Sequence, residues 1–253
     1  MDISIIIVEY KNLKILQEAI SSVQKSLCDV DFEIVVVSNT GYPAIRQKKI
    51  CSDYPTVKFI FNESNMGFSK GVNRGIVSSH SHFALLLNPD AKILDNGVSR
   101  AIEFMERNPQ IAALGPQIID RTGEIQDSAR DFMTPRKLLL RTFRRLTRLS
   151  GGGIIENKDH SRLQPVDWIS GACMLVRQKA IRNVGLMDER YFMYVEDMDW
   201  CRRFWKHGWE VWYQPNWKVE HNAERGSTKC FTLGNRLARI HLISLCKYYF
   251  KWL

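Results

Sequence analysis

FALLLNPDA, residues 83–91, decides how this chain is read. Apolar residues without a polar interruption, repeated between helical segments, belong to strands of a parallel sheet covered on both faces. The strand stops at Asn88-Pro89-Asp90, and ligands of such sheets gather beyond the carboxyl ends of the strands. An aspartate at that point has two readings. It can cap or turn the chain that follows, or it can grip a hard divalent cation that keeps water and phosphate oxygens as its other ligands. Pro89 limits the backbone between Asn88 and Asp90 and so holds two oxygen-bearing side chains near one point.

Outward from this stretch the first half of the chain alternates strand and helix. ISIIIV (3–8), EIVVV (33–37), VKFIF (57–61) and HFALLL (82–87) read as strands. Leu13, Leu16, Ile20, Val23 and Leu27 recur at helical spacing, and further helices are expected over 43–53, 69–79 and 95–107. The second half is less regular. IAALGPQII (111–119) reads as a strand bent at Gly115-Pro116, and VDWISGACMLVR (166–177) as another. A helix is expected from Glu196 to His207, then short strands WEVWYQP (209–215) and WKVEH (217–221), then a basic, apolar helix over 233–252. The segment 151–165, opening on three glycines, is the best candidate for a mobile loop. The fold class is α/β, a mostly parallel central sheet with helices on both faces, in one domain over 1–228 with a C-terminal amphipathic extension over 229–253.

Composition fits a globular chain of 253 residues: 45% hydrophobic, 25% charged and no low-complexity tract, enough to bury a sizeable core. No apolar run reaches the length of a membrane-crossing helix, and MDISIIIVEY lacks the basic start of a signal peptide. The six cysteines form no CxxC pair and are expected to be reduced thiols of a cytoplasmic protein. A net charge of +9 points to an anionic partner, such as a nucleotide, a lipid phosphate or a membrane surface. Nucleic acid is disfavoured, because neither a recognition helix nor an aromatic RNA platform is present. PRKLLLRTFRRLTRL (135–149) carries six basic residues and no acid. It reads either as a solvated helix packed by its leucines or as a surface helix meeting anionic lipid, and the C-terminal CKYYFKWL has the same amphipathic character.

Three further stretches can carry chemistry. In YFMYVEDMDWCRR (191–203), Glu196, Asp197 and Asp199 form the acidic first turn of a helix, which its dipole favours. Asp199 and Arg203 are spaced for an i,i+4 pair. The same acids lie among Tyr191, Phe192, Tyr194 and Trp200, and partial desolvation would raise a carboxylate toward the range of a general base. His221, after Val219-Glu220, gains interest only if the fold brings it to Asp90. In NESNMGFSKGVNRG (62–75), Gly67, Gly71 and Gly75 recur every four residues. That spacing serves close helix packing or an anion at a helix N-terminus, and it matches neither a P-loop nor G-x-G-x-x-G.

Taken in order, IIIVEYKN (5–12), VVVSNTG (35–41), NMGFSKGVNRG (65–75), LLLNPDA (85–91), WISGACMLVR (168–177), GLMDERYFMYVEDMDWCRR (185–203) and VEHNAERGST (219–228) resemble glycosyltransferase family 2, the inverting GT-A transferases, in its rhamnosyltransferase-like branch. The resemblance implies a divalent metal, Mn²⁺ or Mg²⁺, held by Asp90 and assisted by His221 against the donor diphosphate. It implies Asp197 as the base that deprotonates an acceptor hydroxyl, with Glu196 beside it. Val8, Tyr10, Ser38, Asn39, Asn65, Gly67, Phe68, Asn73 and Asn88 would form the nucleotide-sugar side. Trp168, Gly171, Ala172 and Tyr194 would face the acceptor, a glycan or polyprenyl-linked glycan at the inner face of a membrane. Two positions depart from the family's pattern. Ser38 stands where an aspartate often touches the base, and Glu9-Tyr10-Lys11 replaces a stretch with an asparagine there, placing a charge beside the base. The implied activity is transfer of a sugar, with dTDP-rhamnose the leading donor. A catalytically silent sugar-nucleotide-binding subunit is the alternative, opposed by the joint presence of Asp90, Glu196 and Asp197.

Overall fold

β1 (Ile3–Glu9) is the axis on which the first half of the chain is wound. The computed structural model describes residues 1–132, 159–222 and 235–253. The basic stretch 135–149, most of 151–165 and residues 223–228 lie outside the described residues. β1 pairs in parallel with β2 (Phe32–Ser38) on one side and β4 (Phe83–Leu87) on the other. β3 (Val57–Phe61) adds in parallel outside β2. The chain therefore builds outward from β1 in one direction and then jumps back to the other side. The crevice at this reversal, beyond Glu9, Ser38 and Leu87, is where an open α/β sheet offers a ligand site.

Alternation along β1 explains its continuous apolarity. Ile3, Ile5 and Ile7 pack on one face against Leu16, Ile20 and Val23 of α1 (Leu13–Ser26) and join Ala101 and Met105 of α4 (Gly97–Arg107) in one core. Ile6 and Val8 turn to the other face, toward Val72 and Ile76 of α3 (Phe68–Val77). α2 (Ala44–Asp53) links β2 to β3. The glycine spacing in α3 belongs to this second face. A Cβ on Gly71 would stand 2.8 Å from Val8 Cγ1, and one on Gly75 would stand 2.4 Å from Ile6 Cγ2. Both glycines let the helix lie on the strand. Gly75→Ala should cost about 1–3 kcal/mol through overpacking, read as a lower denaturant midpoint, whereas a change at exposed Val77 should leave the midpoint unmoved.

The sheet continues past β4 with strands of both directions. β10 (Cys173–Arg177) runs antiparallel to β4 and to β6 (Ile111–Ile119). β11 (Glu210–His221) runs parallel to β6 and antiparallel to the three-residue β5 (Ala91–Ile93). The order is β3-β2-β1-β4-β10-β6-β11-β5, with the short β8 (Gln164–Pro165) on β11; β7 (Ala129–Arg130) and β9 (Trp168–Ile169) make a separate ribbon. Two expectations are corrected here. The single strand expected over 166–177 is β9 and β10, split by a turn at Ser170–Ala172. The two short strands expected over 209–221 are one strand. It passes Pro215 by slipping register between Gln214 and Lys218, the irregularity by which a sheet tolerates a missing N–H.

Three helices close the molecule: α5 (Gln178–Val184), α6 (Glu196–Lys206) and α7 (Arg236–Trp252). α7 is fastened to α6 through Asp199, which is fully buried. Its carboxylate receives Arg203 Nε at 3.1 Å, Lys251 Nζ at 2.8 Å and Trp252 Nε1 at 2.7 Å. The expected Asp199–Arg203 pair is thus present, and the C-terminal helix adds two further donors to it. Among the described residues no helix is long and apolar enough to cross a membrane.

Candidate active site

The fold brings Asp90 to His221. β5 pairs with the end of β11 so that Ala91 stands opposite His221, which sets the residue before Ala91 beside the imidazole. Asp90 Oδ1 lies 3.2 Å from His221 Nε2, and Asn88 Nδ2 lies 3.3 Å from the same nitrogen. The backbone is fixed from both sides: Asn222 N–H donates to the Asp90 carbonyl at 3.2 Å, and Gln126 Nε2 donates to the His221 carbonyl at 2.7 Å. Burial pushes the Asp90 carboxyl up, but the hydrogen bond and charge of His221 outweigh it and hold the group below its usual value. It is therefore an anion at neutral pH. Adjacent ligands of an octahedral cation with bonds of about 2.1 Å are about 3 Å apart, and the Asp90–His221 separation fits that bite. Among the described residues no three His, Cys, Asp or Glu side chains form a closed cage, so a cation here would draw its remaining ligands from solvent and phosphate.

Asp197 opens at the same end of the sheet. The turn between β9 and β10 presents Gly171 N–H to Asp197 Oδ2 at 3.0 Å, while Met198 N–H donates to Oδ1 at 2.8 Å. The next residue of that turn, Ala172, accepts Asn88 N–H at 2.8 Å through its carbonyl. The two candidate acids are thus joined by a short path, Asp90 to Asn88 in sequence, Asn88 to the 171–172 turn, and that turn to Asp197.

Glu196 and Asp197 divide their roles by environment. Burial raises both carboxyls above their ordinary values. The N–H groups of Gly171 and Met198 and the charge of Arg130 offset part of this at Asp197. At Glu196 the neighbouring Asp197 charge adds to the effect of burial. Its Oε2 is buried and has no hydrogen-bond partner among the described residues. Glu196 is raised further than Asp197, so of the two it holds its proton to the higher pH, as in a coupled acid pair. The linkage follows with a definite sign. Between the ordinary glutamate value and the raised one, the folded chain holds a proton the unfolded chain has lost, so stability falls as pH rises through that window. Glu196→Gln should remove this slope, about 1.4 kcal/mol per pH unit while it lasts. Melting curves across pH would show the variant gaining stability toward the alkaline side.

The loop entering α6 is strained. Tyr194 and Val195 have φ of 70° and 74°, consecutive left-handed residues without a glycine, and such a conformation is rare for a β-branched side chain. Fixed this way, Glu196 and Asp197 emerge at the first turn of the helix.

The residues assigned by resemblance to the nucleotide side are mostly spent on one another. Glu9 is fully buried and accepts from Ser38 Oγ at 2.6 Å, Thr40 Oγ1 at 3.1 Å, Tyr42 OH at 3.2 Å and Asn12 N–H at 2.9 Å. This shell encloses the Glu9 charge and binds the end of β1 to the end of β2, while Lys11, which stands in place of the asparagine, is exposed. Asn39 donates to the Gly67 carbonyl at 3.0 Å and accepts from Asn62 Nδ2 at 2.7 Å. Asn73 bonds Met187 through both its carbonyl and its amide, and donates to Glu189 as well. Ser38, Asn39 and Asn73 thus shape the crevice rather than offer free polar atoms. Asn65 accepts Gly67 N–H at 2.9 Å. Gly67, at φ 90°, has the Phe192 carbonyl where a Cβ would go, and Phe68 N–H donates to that same carbonyl. Val8 packs against Gly71, and Tyr10 keeps 46% of its surface exposed.

On the acceptor side, a Cβ on Gly171 would touch both Asp197 and the Phe68 ring at 3.5 Å. Trp168 donates to the Asp131 carbonyl at 3.1 Å and carries Arg130 over its ring at 5.0 Å. Tyr194 lies 5.0 Å from His241 of α7, ring to ring. The sequence reading missed Arg130, which joins this group through the β7–β9 ribbon. Nothing local in its stretch signals that position, because the pairing spans about forty residues.

A parallel half-sheet reversing at β1, with carboxylates on the loops beyond its strand ends, is the layout of the GT-A nucleotide-sugar transferase fold. The chain belongs to glycosyl transferase family 2, whose model matches residues 4–185. It is 30% identical over 194 residues to N-acetylglucosaminyl-diphospho-decaprenol L-rhamnosyltransferase of Mycobacterium tuberculosis, covering 67% of this chain and 60% of that protein. It is 31% identical over 207 residues to the low-salt glycan biosynthesis hexosyltransferase Agl10 of Haloferax volcanii, covering 80% and 61%. With rhamnosyltransferase WbbL of Escherichia coli the identity is 24% over 227 residues, covering 87% and 83%. The match therefore spans about three-fifths of the length of the first two relatives. Among solved structures, GalNAc-T7 with UDP, GalNAc and Mn²⁺ superposes with a TM-score of 0.63 at 16% identity, over 88% of this chain and 44% of that one. S. aureus TarS 1-349 gives 0.58 at 16% identity, over 88% and 60%.

Proposed function

We propose that the chain transfers a sugar from a nucleoside diphosphate donor to a hydroxyl of a lipid-linked glycan, with inversion at the sugar C1. The observation that carries this reading is the path from Asp90 and His221 through Asn88 and the 171–172 turn to Asp197. Asp197 accepts the acceptor hydroxyl's proton as its oxygen forms the new bond to C1, and the C1–oxygen bond to the diphosphate breaks with its electron pair. Two backbone N–H groups orient the Asp197 carboxylate, and burial raises its basicity. Asp90 and His221 are the residues that would hold a divalent cation, which supplies Lewis-acid neutralisation of the departing diphosphate.

The donor is dTDP-rhamnose, a choice supported by the names of two relatives. The acceptor is a polyprenyl-linked glycan at the inner face of a membrane, supported by the diphospho-decaprenol in one of those names and by the net charge of +9. The test is a panel of nucleotide sugars offered with Mn²⁺ and a short-chain polyprenyl diphosphate glycan, reading released nucleoside diphosphate. Turnover with a UDP-hexose in place of dTDP-rhamnose would revise the donor. No turnover with any donor would leave a silent binding subunit and remove the catalytic reading.

A further inference from the structure

α7 presents two unlike faces. The inner face is committed to the domain: Ser244 Oγ donates to the Met193 carbonyl at 3.0 Å, Arg202 donates to Tyr248 OH at 3.0 Å, and Lys251 and Trp252 meet Asp199. The outer face holds Arg239, Leu242, Ile243, Lys247, Phe250 and Leu253, all exposed and spaced by three and four so that they share one side of the helix. Phe250 is 93% exposed and Leu253 90%. Residues 236–253 contain no aspartate or glutamate.

We propose that this outer face docks on an anionic lipid bilayer, with Phe250 and Leu253 entering the headgroup region and Arg236 and Arg239 meeting lipid phosphates, while Lys247 Nζ donates to the Arg190 carbonyl at 2.5 Å. The choice of occupant rests on charge. A face of large apolar side chains flanked only by cations suits a surface that is negative and apolar just beneath. A second copy of the same face would set cations against cations. The helix touches the segment that carries Asp197 at two points. His241 meets Tyr194, and the Asp199 carboxylate ties α7 to α6, three residues from its amino-terminal Glu196. Docking by this face would therefore bring the acceptor side of Asp197 close to the bilayer. The inference rests on the lipid-linked acceptor proposed above and adds the surface through which the chain reaches it.

Flotation of the full chain tests it, with vesicles of phosphatidylcholine alone and of phosphatidylcholine mixed with phosphatidylglycerol. Binding is expected only to the mixed vesicles and should fall as salt is raised. Phe250→Ser with Leu253→Ser should cut the bound fraction by about tenfold or more, since burying one such side chain commonly supplies that factor. Arg239→Glu should weaken the preference for phosphatidylglycerol. Transfer to the water-soluble short-chain acceptor should stay unchanged in both variants, which shows that they are folded and separates this inference from the proposed activity. Equal flotation with neutral and mixed vesicles, or no flotation by a chain that still transfers, overturns the docking surface and leaves the activity standing. So does a dimer, seen by light scattering without lipid, that Phe250→Ser with Leu253→Ser dissociates.

Discussion

Asp197→Asn is expected to lose on the order of 10²–10⁴ in transfer rate, the usual worth of a positioned general base, while donor affinity stays at the wild-type level. The substitution keeps the shape of the side chain. Its oxygen still accepts one of the N–H groups now donated by Gly171 and Met198, so a fold change is not the expected cause. The variant loses the anion. Steady-state kinetics separates the outcomes: a fall in kcat with unchanged donor KM is the expected signature, and a rise in KM alone would mean that Asp197 binds rather than reacts. In the wild-type chain the acid limb of the rate profile should lie above the ordinary aspartate range, because burial favours the protonated form and only the deprotonated form is active. The rate rises with pH through that limb. A limb at the unperturbed position would contradict the buried-base reading.

Asp90→Ala has its effect elsewhere. It removes one of the two side chains that bracket the proposed cation position and leaves His221 without its carboxylate partner. Changes in the supporting shell of a metal site already cost about 10–100-fold in metal affinity, so loss of a direct ligand should reach at least the upper end of that range. Titration calorimetry of dTDP or UDP, with and without Mn²⁺, is the measurement. Wild-type chain should bind more tightly with the cation present, and the variant should lose that difference while keeping its weaker metal-free binding. Cation-dependent affinity persisting in Asp90→Ala would place the metal elsewhere.

The sequence disclosed elements whose signal is local. FALLL and ISIIIV are buried on both faces and look the same in every frame, so β1 and β4 were legible to within a residue. It was less informative where one chemical signal hides another. WISGAC reads as part of one strand, yet its Ser170–Ala172 turn is what meets both Asp197 and Asn88. Pro215 suggests an interruption, yet β11 absorbs it by slipping against β6. Candidate acids could be named from residue type, and the aromatic neighbours in 191–203 announced their desolvation, but the partners each acid would meet could not be read. That the Glu9 carboxylate is turned inward follows only from the β1–β2 register, which places Ser38 opposite it, with Thr40 following. The part played by Asp199 needs donors on a helix, Lys251 and Trp252, that lie 52 and 53 residues further along. Long-range pairing made these contacts, and a linear string does not state it.

The left-handed pair Tyr194-Val195 has a practical corollary for anyone who sets out to harden this molecule. Such geometry costs a branched side chain about 1–2 kcal/mol, which glycine would not incur. Val195 is also buried beside Tyr191, Met198 and Tyr248, so Val195→Gly would give up that packing as it relieves the strain. A campaign that rewards only survival of heating should pass it over, and the variant should turn over more slowly because a looser hinge aims the neighbouring carboxylate less well.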